Sequence, residues 1–361
     1  MGTLELAGEL RVRIAVRDGV VRAVGIDSTR PQLAGRVLAG RPADEAVAMV
    51  PQLFSICGNS QHVAAELALA AARGAPAAAD APRLRRVESE IAQEYLWRAL
   101  IDWPREVGGT ADAATLAAAR SALARDDHGE LRGIVERDVL GADARQWCAQ
   151  GRIDEFEQWL AGGATAAARH LGRVWRDGPR HGAADVAPLP CFDDEVAARI
   201  VAALDADPHF ERRPTFDGRP AETGAGARLA GQPLVAALGA AFGRSTLVRF
   251  AARLSELARI AGGQAPAAPL AGGWPLGSGR GLGWVETARG LLLHAIDLDG
   301  GTIGRYRVVA PTEWNFHPQG VLAAATLGVH APDAAGLKRR TERLLQALDP
   351  CVAHRLVLDH A

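Results

Sequence analysis

Two short stretches of this sequence hold residues able to bind a soft metal. In residues 51–62, PQLFSICGNSQH, a single cysteine precedes an Ala/Leu-rich stretch. Ser60 or Asn59 would cap a helix there and leave Cys57 just outside its N-terminus. Free amide donors and the positive end of the helix dipole favour the thiolate, the form that a soft metal takes. The second stretch is residues 348–354, LDPCVAH. Read as an N-cap followed by proline at the first helical position, Asp349 and Pro350 put Cys351 in the first turn of a short terminal helix. His354, three residues on, would share a helix face with Cys351, and the two could chelate one metal. An isolated C-x-x-H is more often incidental than functional, and helix capping alone accounts for Asp349. His62, His317 and His360 are further candidate ligands, each more simply read as a packing or surface residue. The other two cysteines, Cys148 and Cys191, are read as buried structural residues. Four scattered cysteines in a chain of 361 residues do not make a disulfide framework, so reduced thiols are expected.

The elements that must position these groups are mostly helical. Apolar residues at helical spacing predict helices over 60–73, 86–103, 111–125, 130–148, 154–170, 194–206, 227–241 and 246–261. Another helix is capped by Asp333 and runs to about Leu348, where Asp349-Pro350 stops it. Residues 175–192 and 207–225, rich in Pro, Gly, Asp and Arg, read as long loops. Residues 9–26 alternate apolar and charged side chains on both sides of Asp18-Gly19, a type I′ hairpin signal. A second hairpin pairs Leu291–Leu298 with Thr302–Val309 around Asp299-Gly300-Gly301. That acidic turn lacks the later ligands of a calcium loop. The expected class is α+β: a mainly helical body with small β-hairpins near both ends of the sequence.

Composition narrows the function classes. With 48% hydrophobic residues the chain can build a large core. A formal net charge of −1 gives no support to nucleic-acid binding. No uncharged run approaches the ~18–20 residues that span a bilayer, and no signal peptide is read at the N-terminus. A cytoplasmic protein without membrane insertion is expected.

Read along the chain, five segments resemble the large subunit of NiFe hydrogenases, in that family's order. Residues 8–12, GELRV, with the hairpin that follows, resemble its R-I-E-G-H-L-R strand. Phe54 to Cys57 and the helix after them resemble its first C-x-x-C with the trailing helix. Residues 286–290, ETARG, resemble its E-A-P-R-G. Residues 306–318, YRVVAPTEWNFHP, resemble its R-Y-x-x-x-x-P-T-x-W-N-x-x-P and are the most specific of the five. Asp349-Pro350-Cys351 resembles its D-P-C-x-x-C, while residues of about 75–270 are much less distinctive. The resemblance implies a single large-subunit-like domain over 1–361. It comprises an N-terminal hairpin (9–26), a helical body (60–262) and a C-terminal hairpin with a metal-site segment (285–361).

The departures set what the resemblance implies. The family holds nickel with four cysteines from two C-x-x-C pairs, the second of each pair bridging to an iron that carries carbonyl and cyanide. Phe54 stands at the first position of the first pair, and His354 at the second of the last. Two thiolates remain, so no nickel is expected. Ala7 matches the glutamate of the N-terminal motif, and Gln61 matches the histidine after the first pair. Val357 matches the histidine that precedes a cleaved maturation peptide, so no such processing is expected. Arg289 matches an arginine lying over the iron's cyanides, and Asp349 an aspartate that hydrogen-bonds nearby. Taken alone, Arg289 reads as a salt-bridge residue and Asp349 as a cap. The resemblance thus implies a non-catalytic accessory protein of the HupK/HoxV type, with Cys57, Cys351 and His354 as metal ligands and Arg289 and Asp349 as cofactor-binding residues. Its cargo would be an iron fragment, Fe(CN)2CO, held transiently. Its partners would be the hydrogenase large subunit and HypC-like maturation chaperones. A metal-free adaptor for maturation factors is the alternative, and a variant hydrogenase catalytic subunit is a third.

Overall fold

A computed structural model describes residues 8–31, 33–54, 56–75, 77–331 and 333–360; Ala7 lies outside them. The chain forms two compact units, a finer division than the single domain read from the sequence. One comprises residues 1–87, 185–224 and 269–361, the other 88–184 and 225–268.

The first unit carries all the motif-bearing segments. Strands β1 (Glu9–Arg17) and β2 (Val20–Ser28) form the expected hairpin, and both turn residues take positive φ, Asp18 at 52° and Gly19 at 67°. Helices α1 (Leu33–Leu38), α2 (Ala43–Leu53) and α3 (Gly58–Ala72) follow. Helix α4 (Asp194–Ala206) is capped by Asp193, whose side chain accepts from the Val196 amide. Strands β3 (Ala271–Gly277), β4 (Arg280–Thr287), β5 (Gly290–Asp299) and β6 (Thr302–Val309) make an antiparallel sheet in sequential order. Three helices follow: α5 (Pro311–Asn315), α6 (Val321–Thr326) and α7 (Ala334–Leu348).

The chain does not then start the terminal helix expected from Asp349-Pro350. Asp349 takes a left-handed conformation (φ 56°) and closes α7 as its C-cap. Proline after a C-cap ends a helix as well as it starts one. Residues Ala353–His360 form strand β7, which pairs parallel with β1, giving a second sheet in the order β2-β1-β7. That pairing satisfies the backbone on the open side of β1, which a helix at this place would leave bare.

Helix α3 lies flush on β4 because β4 offers no side chains where they meet. A Cβ on Gly283 would fall 1.9 Å from the Ala64 carbonyl oxygen, and one on Gly281 2.3 Å from that of Ala68. The alanines of α3 complete the close approach. One core cluster gathers Trp284, Leu291, Leu293 and Trp314 with α4; another gathers α2, α3, Ile296 and Tyr306.

The second unit is helical. Thr246–Ala261, capped by Ser245, is buried along its whole length. Its Glu256 accepts from Arg228 at 2.7 Å and from the Tyr95 hydroxyl at 2.8 Å, and Arg228 holds its carboxyl below the usual range despite burial. The expected helix 154–170 is two helices, Ile153–Gly162 and Ala166–Arg176, because Gly163 takes a left-handed conformation between them. Among the described residues no helix is long and apolar enough to cross a membrane.

Candidate functional site

Cys57 and Cys351 line one cavity of about 380 Å3 in the first unit. Cys57 is itself the N-cap residue of α3, so neither Ser60 nor Asn59 starts that helix. The Gln61 side-chain amide donates to Cys57 Sγ at 3.4 Å, and the Gln61 backbone amide to the Cys57 carbonyl at 3.0 Å. Cys351 lies in the bend between α7 and β7, with its Sγ 3.0 Å from the Thr312 hydroxyl.

The short helix α5 distributes four roles over one turn. At ~100° per residue its consecutive side chains face in different directions. Thr312 touches Cys351. Glu313 lines the cavity; burial pushes its carboxyl up to about 7, partly offset by the Arg30 charge and the Ser28 hydroxyl. Trp314 is fully buried, edge-on to Phe210. Asn315 clamps two segments: its Oδ1 accepts from the Thr223 amide at 3.0 Å, and its Nδ2 donates to the Arg289 carbonyl at 3.0 Å.

That clamp holds the tight β4–β5 turn. The Thr287 hydroxyl donates to the Gly290 carbonyl and accepts from the Arg289 amide. Gly290, at φ 123°, lies so close to Thr223 that a Cβ would fall 2.4 Å from its methyl carbon. Arg289 and Asp349, 5% and 3% exposed, form an ion pair at 3.5 Å. Neither is among the residues lining the cavity. The structure therefore joins four of the five expected site residues in two pairs, Cys57 with Cys351 on the cavity and Arg289 with Asp349 in the protein interior.

His354 belongs to neither pair. It is exposed on β7, opposite Leu10 of β1, so the helical Cys351–His354 chelate is replaced by a bend and a strand. Of the other histidines, His62 faces Glu66 and Arg86, and burial lowers its pKa. His317 is buried and accepts from the Gln319 amide. The His360 side chain lies outside the described residues. Cys148 is half-buried, its thiol pushed up to about 11 by burial, whereas Cys191 is exposed rather than buried. None of the four described cysteines is in a disulfide.

The chemistry available is that of two thiols in a pocket of mixed charge. Arg30, Arg212 and Arg213 line it together with Asp27, Glu211 and Glu313. Burial raises Glu211 as well as Glu313, which shifts the balance toward the guanidiniums. Phe54, also on the lining, carries the Arg30 guanidinium 5.8 Å from its ring centroid. Among the described residues no three His, Cys, Asp or Glu side chains come together as a metal cage. Arg30, Arg212 and Arg213 lie in segments without a motif, so nothing in the sequence marks them as lining residues. Thr312, Glu313 and Asn315 stand out in the sequence only as parts of a motif.

Comparison with known proteins places this architecture. The family model for nickel-dependent hydrogenases matches residues 267–354. The fold is that of the hydrogenase large subunit: the NiFeSe hydrogenase of D. vulgaris Hildenborough superposes with a TM-score of 0.58, at 15% identity, over 93% of this chain and 94% of that one. The hydrogenase expression/formation protein HoxV of Cupriavidus necator is 33% identical, covering 95% of this chain and 94% of its own length. The hydrogenase expression/formation protein HupK of Azotobacter vinelandii is 32% identical over 99% of this chain and its entire length. The chain thus belongs to the HupK/HoxV family of hydrogenase expression/formation proteins.

Proposed function

We propose that this protein serves in hydrogenase formation as a non-catalytic scaffold, holding or transferring the Fe(CN)2CO fragment before it reaches the hydrogenase large subunit. The observation that carries the reading is the pair of thiols on one cavity, Cys57 and Cys351, with three guanidiniums in the same lining. Soft thiolates suit such an iron centre. A ferrous ion with two cyanides is neutral, so two thiolates would make the bound unit a dianion, and Arg30, Arg212 and Arg213 supply compensating charge. Phe54 contributes carbon where a nickel site needs a further ligand, so nickel is not part of the proposal. Two protein ligands leave the remaining face of the iron uncovered, which suits a cargo that must leave. The partners on this reading are the hydrogenase large subunit and a small HypC-like chaperone.

Infrared spectra of protein purified without oxygen from a maturation-competent host test the proposal. Carbonyl and cyanide bands that vanish in Cys57→Ala and in Cys351→Ala are the expected result. Protein that carries neither bands nor iron would sink it. A metal-free adaptor for maturation factors is the second reading, favoured by Arg289 and Asp349 pairing with each other away from the cavity lining. It requires hydrogenase maturation to survive both cysteine substitutions.

A further inference from the structure

Behind the cavity, Cys57 ends a run of buried polar groups. Tyr306 Oη lies 2.6 Å from His294 Nδ1, His294 Nε2 lies 2.7 Å from Gln61 Oε1, and Gln61 Nε2 lies 3.4 Å from Cys57 Sγ. Gln61, His294 and Tyr306 are 1%, 0% and 3% exposed, so water does not compete for these bonds. They come from α3, β5 and β6, and the close seating of α3 on the sheet makes their meeting possible.

The directions of these bonds are linked. Burial holds the imidazole neutral, its pKa taken down to about 3, and keeps the proton on the Tyr306 phenol. A neutral imidazole has one N–H and one bare nitrogen. With the phenol donating to Nδ1, the imidazole proton sits on Nε2 and donates to the Gln61 amide oxygen. The Gln61 NH2 group then faces the sulfur. In the reverse arrangement Nδ1 would carry the proton, and Gln61 would turn its oxygen toward Cys57. The phenol would then lose its acceptor.

We propose that His294 and Tyr306 are positioning residues that lock the Gln61 amide, so that Cys57 presents its sulfur already bearing one directed hydrogen bond. Such a bond draws electron density from a ligating sulfur and tempers its hold on a metal, as outer-shell partners do. That consequence rests on the carrier reading, whereas the orientation of the chain does not.

The test uses the full-length protein free of iron. In 15N-histidine-labelled protein, with His294 assigned by its loss in His294→Gln, two-bond 1H–15N spectra should show the Nε2–H tautomer. A dominant Nδ1–H tautomer would overturn the proposal. Tyr306→Phe keeps the ring and its packing but removes the donor, and the Nε2–H preference should be lost. The Raman S–H band of Cys57, isolated by difference against Cys57→Ser, should shift in both Tyr306→Phe and Gln61→Met. A band unmoved in both variants also overturns the proposal, because thermal destabilisation alone would not fix its position. Should either variant fail to fold, the wild-type tautomer decides. Missing carbonyl and cyanide bands would count against the carrier reading and leave this test intact.

Discussion

Glu313 sits next to the threonine that touches Cys351, yet its carboxyl lines the cavity with a pKa pushed up to about 7 by burial. A carboxyl whose folded pKa exceeds its unfolded value binds its proton more tightly in the folded state. Its contribution to stability is complete below the unfolded pKa of about 4.5 and is lost as pH rises through about 7. Between pH 5 and 8 the wild type should therefore lose about 2–3 kcal/mol relative to Glu313→Gln, which has no such titration. Urea denaturation of both proteins at the two pH values reads this difference, and a constant difference would refute the assignment. The roles around Glu313 were only partly legible. The run Thr312–Asn315 stands out in the sequence as a motif, but the sequence does not say that Thr312 meets a cysteine 39 residues away or that Asn315 binds the Arg289 carbonyl. Those contacts arise because one helical turn points its side chains at separate neighbours.

At the scale of elements, what was legible was local. The Asp18-Gly19 turn, the hairpin around Gly300 and the helix ending at Leu348 all announce themselves through turn and cap residues a few positions apart. Strand β4 does not, because nearly all of Arg280–Thr287 is buried and its two faces are not distinguished by polarity. Its glycines look like loop residues in sequence, but they are the surface on which α3 rests. Gly283→Ala should cost about 3 kcal/mol or more, since the added methyl meets the Ala64 carbonyl and neither backbone can yield cheaply. Gly301→Ala, where nothing lies within 4 Å of an added Cβ, is the matched control and should be nearly neutral. Thermal or urea melts of the two variants separate close packing from a general intolerance of glycine replacement. Because α3 carries Gln61 and is preceded by Cys57 as its N-cap, the Gly283 variant should also lower the occupancy of any ligand held by Cys57.

At the scale of the whole molecule, segments from opposite ends of the sequence meet in one unit. Residues 1–87, 185–224 and 269–361 form it, and the much less distinctive stretch of about 75–270 includes the residues of the other unit. Capping rules read Asp349-Pro350 as a helix start because they see only neighbours in sequence, whereas β7 is decided by β1, more than 300 residues earlier. Eight residue pairs, from Glu9 with Ala353 to Val16 with His360, join the two strands in parallel. Ladder bonds of this kind contribute ~0.5–1.5 kcal/mol each, so a protein ending at Val352 should lose at least about 3 kcal/mol of stability. The same truncation removes the strand that anchors the chain just after Cys351, in the bend between α7 and β7. Alkylation of Cys351 should accelerate in the truncated protein, measured against exposed Cys191 as an internal standard. An unchanged melting curve with an unchanged Cys351 rate would mean that β7 neither stabilises the unit nor positions the second thiol. Cys351 would then owe its place on the cavity to Thr312 and the end of α7 alone.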